Sequence, residues 1–173
     1  MKLNKEATKK IRIIGSVGSG KTTLARELSA QLGIPYYELD NVIWIRDPSG
    51  DIRRTESERN DYLQQIIQSD TWIIEGVHNE EWTRKTFTQA DLIVFLDLNY
   101  HLRTYRIIKR FIRQKAGIES ANYQPTFSIF LKMFKWNRFF EKNGKPNFHR
   151  VTNYCSDRVI IVNRPAELRK LLQ

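Results

Sequence analysis

Short apolar runs and longer segments of helical periodicity alternate along the chain. The first of the apolar runs is rich in β-branched residues, which is typical of buried strands. The runs are KIRIIG from Lys10, YYEL from Tyr36, WIIEG from Trp72, LIVFLDL from Leu92 and RVIIV from Arg158. Strands that alternate with helices form a parallel sheet with helices on both faces, so we predict an α/β three-layer sandwich with five parallel strands.

The segments between these runs place apolar residues three or four positions apart, as amphipathic helices do. TESERNDYLQQIIQ also begins with Thr55 and Glu58 in the spacing of a capping box. The other predicted helices are TTLARELSAQL, YHLRTYRIIKRFIR, FSIFLKMFKWNRFFE and PAELRKLL. No internal repeat, low-complexity tract or Pro/Gly/Ser-rich linker divides the chain, so we predict one domain over residues 1–173.

The junction of the first strand and the first helix reads GSVGSGKT, residues 15 to 22, and fits the phosphate-binding pattern G-x-x-x-x-G-K-[ST]. Glycines let successive backbone N–H groups turn toward a phosphate chain, and the helix N-terminus adds positive potential. Lys21 would reach the β- and γ-phosphates, and Thr22 would offer its hydroxyl to magnesium. The predicted nucleotide contacts are Gly15, Ser16, Gly18, Ser19, Gly20, Lys21, Thr22 and Thr23.

The alternative for this loop is a strand-to-helix turn that needs glycine for its backbone conformation, with Lys21 merely solvated. The complete motif and the strand and helix on either side of it favour nucleotide binding. We therefore predict a P-loop NTPase that uses ATP and Mg²⁺.

The cysteine count, the N-terminal segment and the length of the apolar runs indicate where in the cell the protein is located. The single cysteine, Cys155, excludes an internal disulfide, and the N-terminal MKLNKEATKK lacks the apolar segment of a secretory signal. The longest apolar runs are far too short to cross a bilayer. The sequence predicts a soluble cytoplasmic protein without a membrane partner, and it leaves the oligomeric state open.

The net charge of +10 comes from one segment of the chain. Residues 101 to 150 carry 12 basic and 2 acidic side chains, an excess that equals the whole net charge. A field confined to one segment calls for a local explanation, such as phosphate groups bound there.

The chain resembles the nucleoside-monophosphate-kinase-like branch of P-loop proteins. Within that branch it resembles the FlaR-type "DNA topology modulation" proteins, an adenylate-kinase-like family. The stretches that carry the resemblance are GSVGSGKTTLARELSAQLGIP, LDNVIW, WIIEGVHN, ADLIVFLD and RIIKR. The resemblance implies the sheet order 2-3-1-4-5, a lid after the fourth strand at about residues 111–126, and transfer of the γ-phosphoryl group of ATP to a small acceptor.

The resemblance also implies roles for individual residues on the nucleotide side. Glu75, where relatives have aspartate, would hold magnesium through water, and Asp97 at the next strand end is a second candidate. RIIKR resembles the lid-entry RIVGR of adenylate kinases, so Arg106 would stack on adenine and Arg110 would meet phosphates. Pro165 would cover the other face of the base. The alternative for both arginines is a solvated helix face.

The sequence says less about the residues that would bind the phosphoryl acceptor. Asp40 lies where small-molecule kinases of this branch have an acceptor-binding or base carboxylate, and the alternative is a cap for a short helical turn at NVIW. Adenylate kinases carry an arginine in DGFPR that binds the phosphate of the acceptor, and EGVHN lacks this arginine. The residues that could take part instead are Arg53, Arg54, Arg84 and His78.

Two classes of function follow from these features. In a phosphotransferase, the basic segment neutralises the phosphate charge of the closed site. In an ATP-dependent nucleic-acid-binding protein that affects DNA topology, FLKMFKWNRFFEKNGK would stack bases and follow a backbone. We favour the kinase, because Phe130, Met133, Phe134 and Phe140 have the spacing of a buried helix face and no DNA-reading motif is present.

Overall fold

The computed structural model describes residues 8–47, 49–119, 125–164 and 167. The strands of these residues are β1 (Lys10–Gly15), β2 (Tyr36–Glu38), β3 (Trp44–Ile45), β4 (Ile52–Arg53), β5 (Trp72–Gly76), β6 (Leu92–Leu96) and β7 (Val159–Val162). The α-helices are α1 (Lys21–Leu32), α2 (Leu39–Ile43), α3 (Glu56–Gln68), α4 (Arg84–Thr88), α5 (Tyr100–Lys115), α6 (Phe127–Phe139) and α7 (Lys145–Thr152).

Five of the strands form one parallel sheet in the order β2-β5-β1-β6-β7. Numbered among themselves in chain order, these five strands follow 2-3-1-4-5, so the predicted topology is confirmed. β1 is the central strand, with Ile13 opposite Glu75 of β5 on one side and Val94 of β6 on the other. The carboxyl ends of all five strands meet at one edge, where open α/β sheets bind ligands.

Apolar side chains on the two faces of the sheet make two cores, which gives the predicted three layers. On one face, Ile13 and Val94 pack with Leu24 and Leu28 of α1. The other face packs against α2, α3, α4, α7 and the turn before α7, and its buried side chains include Leu39, Leu63, Ile66, Phe87, Phe95, Phe140 and Phe148. Among the described residues no helix is both long enough and apolar enough to span a membrane.

Arg12 interrupts the apolar pattern of β1 and is fully buried. Its Nη1 donates to the carbonyl oxygens of Ile13 at 2.6 Å and Ile74 at 3.2 Å. Its Nη2 donates to those of Gly76 at 3.3 Å and His78 at 2.7 Å. Burial lowers the pKa of Arg12 to about 9, which still leaves the guanidinium charged at neutral pH. Arg12 therefore ties the loop that follows β5 to the central strand.

Sequence periodicity missed the smaller elements. β3 and β4 form an antiparallel hairpin of two residues per strand, too short for an alternating pattern to be visible. The capping box of Thr55 and Glu58 is present at the start of α3. The second basic helix ends earlier than predicted, because a π-helical turn over Phe140–Gly144 separates α6 from α7. The predicted closing helix PAELRKLL, apart from residue 167, lies outside the described residues.

The predicted lid begins in the last part of α5 and continues past the end of that helix. Residues 111–115 are the last turns of α5, and residues 120–124 lie outside the described part of the chain. The lid, and the single domain of which it would be part, stay predictions.

We expect Arg12→Ala to lower the free energy of unfolding by roughly 3 kcal/mol or more, because three buried carbonyl oxygens and one partly buried carbonyl oxygen lose this donor. Arg53→Ala, which removes an exposed guanidinium from β4, should cost about 0.5 kcal/mol at most. Urea denaturation followed by circular dichroism measures both. Similar values for the two variants would contradict the structural role of Arg12.

Candidate active site

The glycine-rich loop connects β1 to α1 at the carboxyl edge of the sheet. Gly18 has φ +75° and Gly20 has φ +96°, a left-handed backbone that favours glycine. A Cβ on Gly18 would lie 2.8 Å from the backbone oxygen of Arg103 in α5. The loop therefore needs glycine both for its conformation and for the close approach of α5.

Lys21, Thr22 and Glu75 come together at the start of α1. Thr22 Oγ1 donates to Glu75 Oε1 at 2.6 Å, and Lys21 Nζ lies 4.0 Å from Glu75 Oε2. Lys21 Nζ also donates to the carbonyl oxygen of Ser16 at 3.3 Å. Glu75 is only 4% exposed, so its carboxylate depends on these partners in place of water.

These oxygens are a suitable donor set for Mg²⁺. The ion prefers hard oxygen ligands and is usually held by one or two carboxylates together with substrate phosphates. A hydroxyl and a carboxylate 2.6 Å apart at the P-loop meet that need. No group of three or more His, Cys, Asp or Glu side chains that could hold a metal occurs in the described part of the chain.

Asp97, the other magnesium candidate, is engaged elsewhere. Lys145 Nζ lies 2.5 Å from Asp97 Oδ1 and 2.8 Å from Glu141 Oε2. Glu141 also pairs with the buried Arg103. Burial opposes the charged form of Glu141, but hydrogen bonds from Lys145 and Arg103 outweigh it and lower the pKa of Glu141. Glu75 is therefore the better-placed of the two candidates beside Thr22.

The two arginines of RIIKR differ in their surroundings. Arg106 Nη1 donates to the carbonyl oxygen of Ser19 at 3.1 Å and lies 3.5 Å from that of Gly18, so it contacts the P-loop directly. Arg110, one turn later, has its Nε 3.6 Å from Glu119 Oε1. The structure thus brings Arg106 to the loop and directs Arg110 toward Glu119.

The remaining predicted nucleotide contacts are spread around the loop. Ser16 and Ser19 are buried, and Gly15 packs closely against Leu96. Thr23 is exposed on the first turn of α1. Pro165 lies outside the described residues.

Asp40 follows β2 at the carboxyl edge of the sheet, in the first turn of α2. Its side chain is 64% exposed, and the N-cap residue of α2 is Glu38, so Asp40 is not the helix cap. His78 Nε2 is 3.9 Å from Asp40 Oδ1, and His78 Nδ1 is 3.2 Å from Glu80 Oε2. The His78 contact lowers the pKa of Glu80.

The other acceptor-side candidates make structural contacts. Arg54 Nη1 donates to the carbonyl oxygens of Asn41 at 2.7 Å and Val42 at 3.1 Å. Arg84 Nη1 pairs with Glu81 at 3.3 Å. The guanidinium of Arg53 lies 5.8 Å from the centre of the Trp44 ring.

An open cavity of about 320 Å³ lies beside β2 and α2. Glu38, one of its lining residues, is opposite Glu75 of β5 in the strand register. Burial, and next the charge of Glu75, raise the pKa of Glu38. The lining residues are Tyr36, Tyr37, Glu38, Asn41, Val42 and Tyr62.

Asn137 of α6 is a site residue that the sequence did not indicate. It is fully buried, and its Oδ1 accepts a hydrogen bond from Ser16 Oγ at 3.0 Å. Its Nδ2 donates to Thr104 Oγ1 of α5 at 3.2 Å. One side chain therefore joins the P-loop to both basic helices. Because Asn137 and Ser16 are 121 positions apart, no local pattern could have paired them.

The turn between α6 and α7 is attached to the loop after β5 in a similar way. Asn79 Nδ2 donates to the carbonyl oxygen of Gly144 at 2.9 Å. Asn147 Nδ2 donates to Asn79 O at 2.8 Å and to Asn79 Oδ1 at 2.9 Å. These contacts fix the segment from α6 to α7 against the carboxyl edge of the sheet.

A glycine loop between the central strand and the first helix, at the carboxyl edge of a parallel 2-3-1-4-5 sheet, defines a P-loop nucleotide-binding protein. Known proteins agree with this class. A shikimate kinase of Marinomonas sp. (strain MWYL1) is 30% identical over 137 residues, which cover 69% of this chain and 74% of that protein. No protein-family model matches the sequence.

Two solved structures share the fold. Shikimate kinase from Acinetobacter baumannii, in complex with shikimate, gives a TM-score of 0.59 at 21% identity over 97% of this chain and 90% of that chain. Shikimate kinase from Bacteroides thetaiotaomicron gives 0.60 at 17% identity over 96% of each chain. The chain belongs to the nucleoside-monophosphate-kinase-like family of P-loop kinases that includes shikimate kinase. It is an ATP-dependent phosphotransferase that acts on a small acceptor.

We expect Asn137→Ala to weaken binding of a non-hydrolysable ATP analogue roughly threefold to tenfold, the cost of one or two lost hydrogen bonds that position the loop. Isothermal titration calorimetry measures the affinity. Asn143→Ala, an exposed asparagine of the following turn, is the matched control and should bind like the unaltered protein. If Asn137→Ala binds the analogue equally well, Asn137 does not position the loop.

Proposed function

We propose that this protein transfers the γ-phosphoryl group of Mg²⁺-bound ATP to a hydroxyl of a small acceptor held between the ends of β2 and β5. The observation that carries the proposal is the contact of Thr22 Oγ1 with the buried Glu75 carboxylate at 2.6 Å, with Lys21 Nζ 4.0 Å away. A hydroxyl, a carboxylate and an ammonium group at the start of one helix are the groups that phosphoryl transfer requires around the γ-phosphate.

On the nucleotide side, the backbone N–H groups of the loop bind the phosphate chain. Lys21 neutralises charge on the β- and γ-phosphates as the bond to the γ-phosphorus breaks. Thr22 would ligate Mg²⁺ directly and Glu75 through water, and the ion would add further positive charge at the β- and γ-oxygens. Arg106, which already contacts the loop, would lie against the adenine ring or the phosphates.

On the acceptor side, Asp40 serves as the general base. Its exposed carboxylate orients the acceptor hydroxyl and takes its proton while the oxygen bonds to the γ-phosphorus and ADP leaves. His78, 3.9 Å from Asp40, helps to fix the orientation of this carboxylate. The cavity of about 320 Å³ next to α2 lies within the size range of small-molecule sites and would take the rest of the acceptor.

A hydroxyl compound of the size of shikimate is a reasonable first acceptor to test, because a shikimate kinase is among the relatives. Arg110 would have to leave Glu119 in order to reach the phosphates, which a closing lid at about residues 111–126 would allow. LDNVIW and WIIEGVHN support a position near the FlaR-type proteins within the family.

The test is a phosphoryl-transfer screen with γ-labelled ATP against shikimate, sugar acids, nucleosides, nucleotides and small alcohols. With the best acceptor, we expect Asp40→Asn to keep near-normal ATP binding and to reduce transfer on the order of 100-fold or more, the effect of a lost general base. Lys21→Ala, which should lose productive ATP binding, is the reference for a failed nucleotide site.

Two results would contradict the roles assigned here. If Asp40→Asn transfers phosphate at the normal rate, Asp40 is not the base. If Asp40→Asn fails to bind ATP, Asp40 belongs to the magnesium site and the role of Glu75 must be revised.

A further inference from the structure

The outer surfaces of α5 and α6 combine exposed apolar side chains with positive charge. Eight of the thirteen exposed large apolar side chains of the described residues lie between residues 105 and 139, so the exposed apolar area is concentrated there. Residues 101 to 150 also carry the whole net charge of +10. A surface with both properties is unusual for a chain that stays surrounded by water.

The positive charge of these helices is poorly compensated. Residues 101 to 150 contain two acidic residues, Glu119 and Glu141. Glu119 pairs with Arg110 and Arg113, and Glu141 pairs with Arg103 and Lys145. No carboxylate of the described residues forms an ion pair with the remaining exposed cations. These are Lys109, Lys115, Lys132, Lys135, Arg138, Lys142 and Arg150.

The apolar part consists of aliphatic and aromatic side chains on both helices. Ile108 and Ile112 are one turn apart on α5 and are 39% and 61% exposed. Phe111 and Phe130 stack on each other with ring centres 4.2 Å apart and thereby connect the two helices. On α6 the exposed apolar side chains are Phe127, Leu131, Trp136 and Phe139. We call these apolar residues, together with Lys109, Lys132, Lys135, Arg138 and Lys142, the basic apolar surface.

The charge decides what kind of partner can cover this surface. A second copy of the chain, docked by the same face, would bring two strongly positive segments together, which is unfavourable. The occupant must therefore be anionic. Nucleic acid offers phosphates and bases but nothing that Ile108, Ile112 and Leu131 would contact favourably, and the Phe111 and Phe130 rings are stacked on each other. An anionic bilayer offers phosphate groups to the lysines and acyl chains to the aliphatic and aromatic residues.

The amino-acid sequence predicted no membrane partner. From the surface of α5 and α6 we infer instead that these helices dock on a membrane surface rich in anionic phospholipid and lie in the interface. Lys109, Lys132 and Lys135 would lie at the headgroups, and Ile112 and Leu131 would enter the acyl boundary. The α-helical turn places Ile108 about 200° and Ile112 about 240° around α5 from Arg106, which contacts the P-loop on the other side of the helix. Docking would therefore leave the nucleotide side of α5 free. This inference does not depend on the acceptor proposed above.

The test is co-sedimentation of the full chain with extruded vesicles of phosphatidylcholine, alone or mixed with phosphatidylglycerol. We expect binding to the mixed vesicles, weaker binding at high salt, and little binding to phosphatidylcholine alone. Lys132→Gln combined with Lys135→Gln should weaken binding on the order of 30-fold, since each lysine near an anionic surface contributes about fivefold. Ile112→Ser combined with Leu131→Ser should weaken binding roughly tenfold or more.

The matched control is Lys85→Gln combined with Ile52→Ser, which removes one exposed cation and one exposed isoleucine outside the basic apolar surface. It should bind like the unaltered chain. Circular dichroism should be unchanged in all three variants, because each alters exposed side chains only.

Four results would overturn the inference. They are absence of binding to the mixed vesicles, equal binding to neutral vesicles, and equal losses in the control variant. The fourth is tighter binding of a single-stranded or duplex oligonucleotide that is lost in the same two surface variants, which would assign the surface to nucleic acid instead.

Discussion

A buried carboxylate at the end of β5 controls the chemistry of the first turn of α1. Glu75 is 4% exposed, and a carboxylate withdrawn from water is stable only when donors replace its hydration. The strand register places Glu75 opposite Ile13 of the central strand, which brings it under the start of α1. Thr22 and Lys21 then supply the donors, so the same contacts that stabilise the fold bring together the groups a phosphate chain and a magnesium ion need.

Buried polar side chains hold the loops around this centre. Arg12 donates to four carbonyl oxygens and fixes the chain that leaves β5 just after Glu75. Asn137 joins the P-loop to α5 and α6, and Asn79 joins the loop after β5 to the turn before α7. Because unsatisfied buried polar groups are costly, each of these contacts restricts the loops to few arrangements. The helices that carry the excess positive charge are thus connected to the nucleotide loop by specific side chains.

Much of this fold followed from local pattern. The apolar runs predicted all five strands of the sheet, the resemblance supplied their order, and the motif from Gly15 to Thr22 located the candidate nucleotide site. The β3–β4 hairpin was missed because two-residue strands carry no periodic signal. Asn137 and Lys145 were missed for a different reason, since their partners Ser16 and Asp97 lie far away in sequence. Arg12 was the one residue whose structural role had a local signal, because it is a charged residue inside a mostly apolar strand. The sequence could not show its partners, because folding brings the carbonyl groups of Ile74, Gly76 and His78 to it.

The role of Glu75 in holding Mg²⁺ is tested most directly by the magnesium dependence of the affinity for ATP. ATP binding to the unaltered chain and to Glu75→Gln would be measured by calorimetry with Mg²⁺ and with EDTA, and Gln65→Ala on the exposed face of α3 would serve as a control. We expect Mg²⁺ to tighten binding to the unaltered chain and to the control. Glu75→Gln should lose most of this gain while retaining its affinity in EDTA. An undiminished magnesium effect in Glu75→Gln would contradict this role, and would show that another group holds the ion.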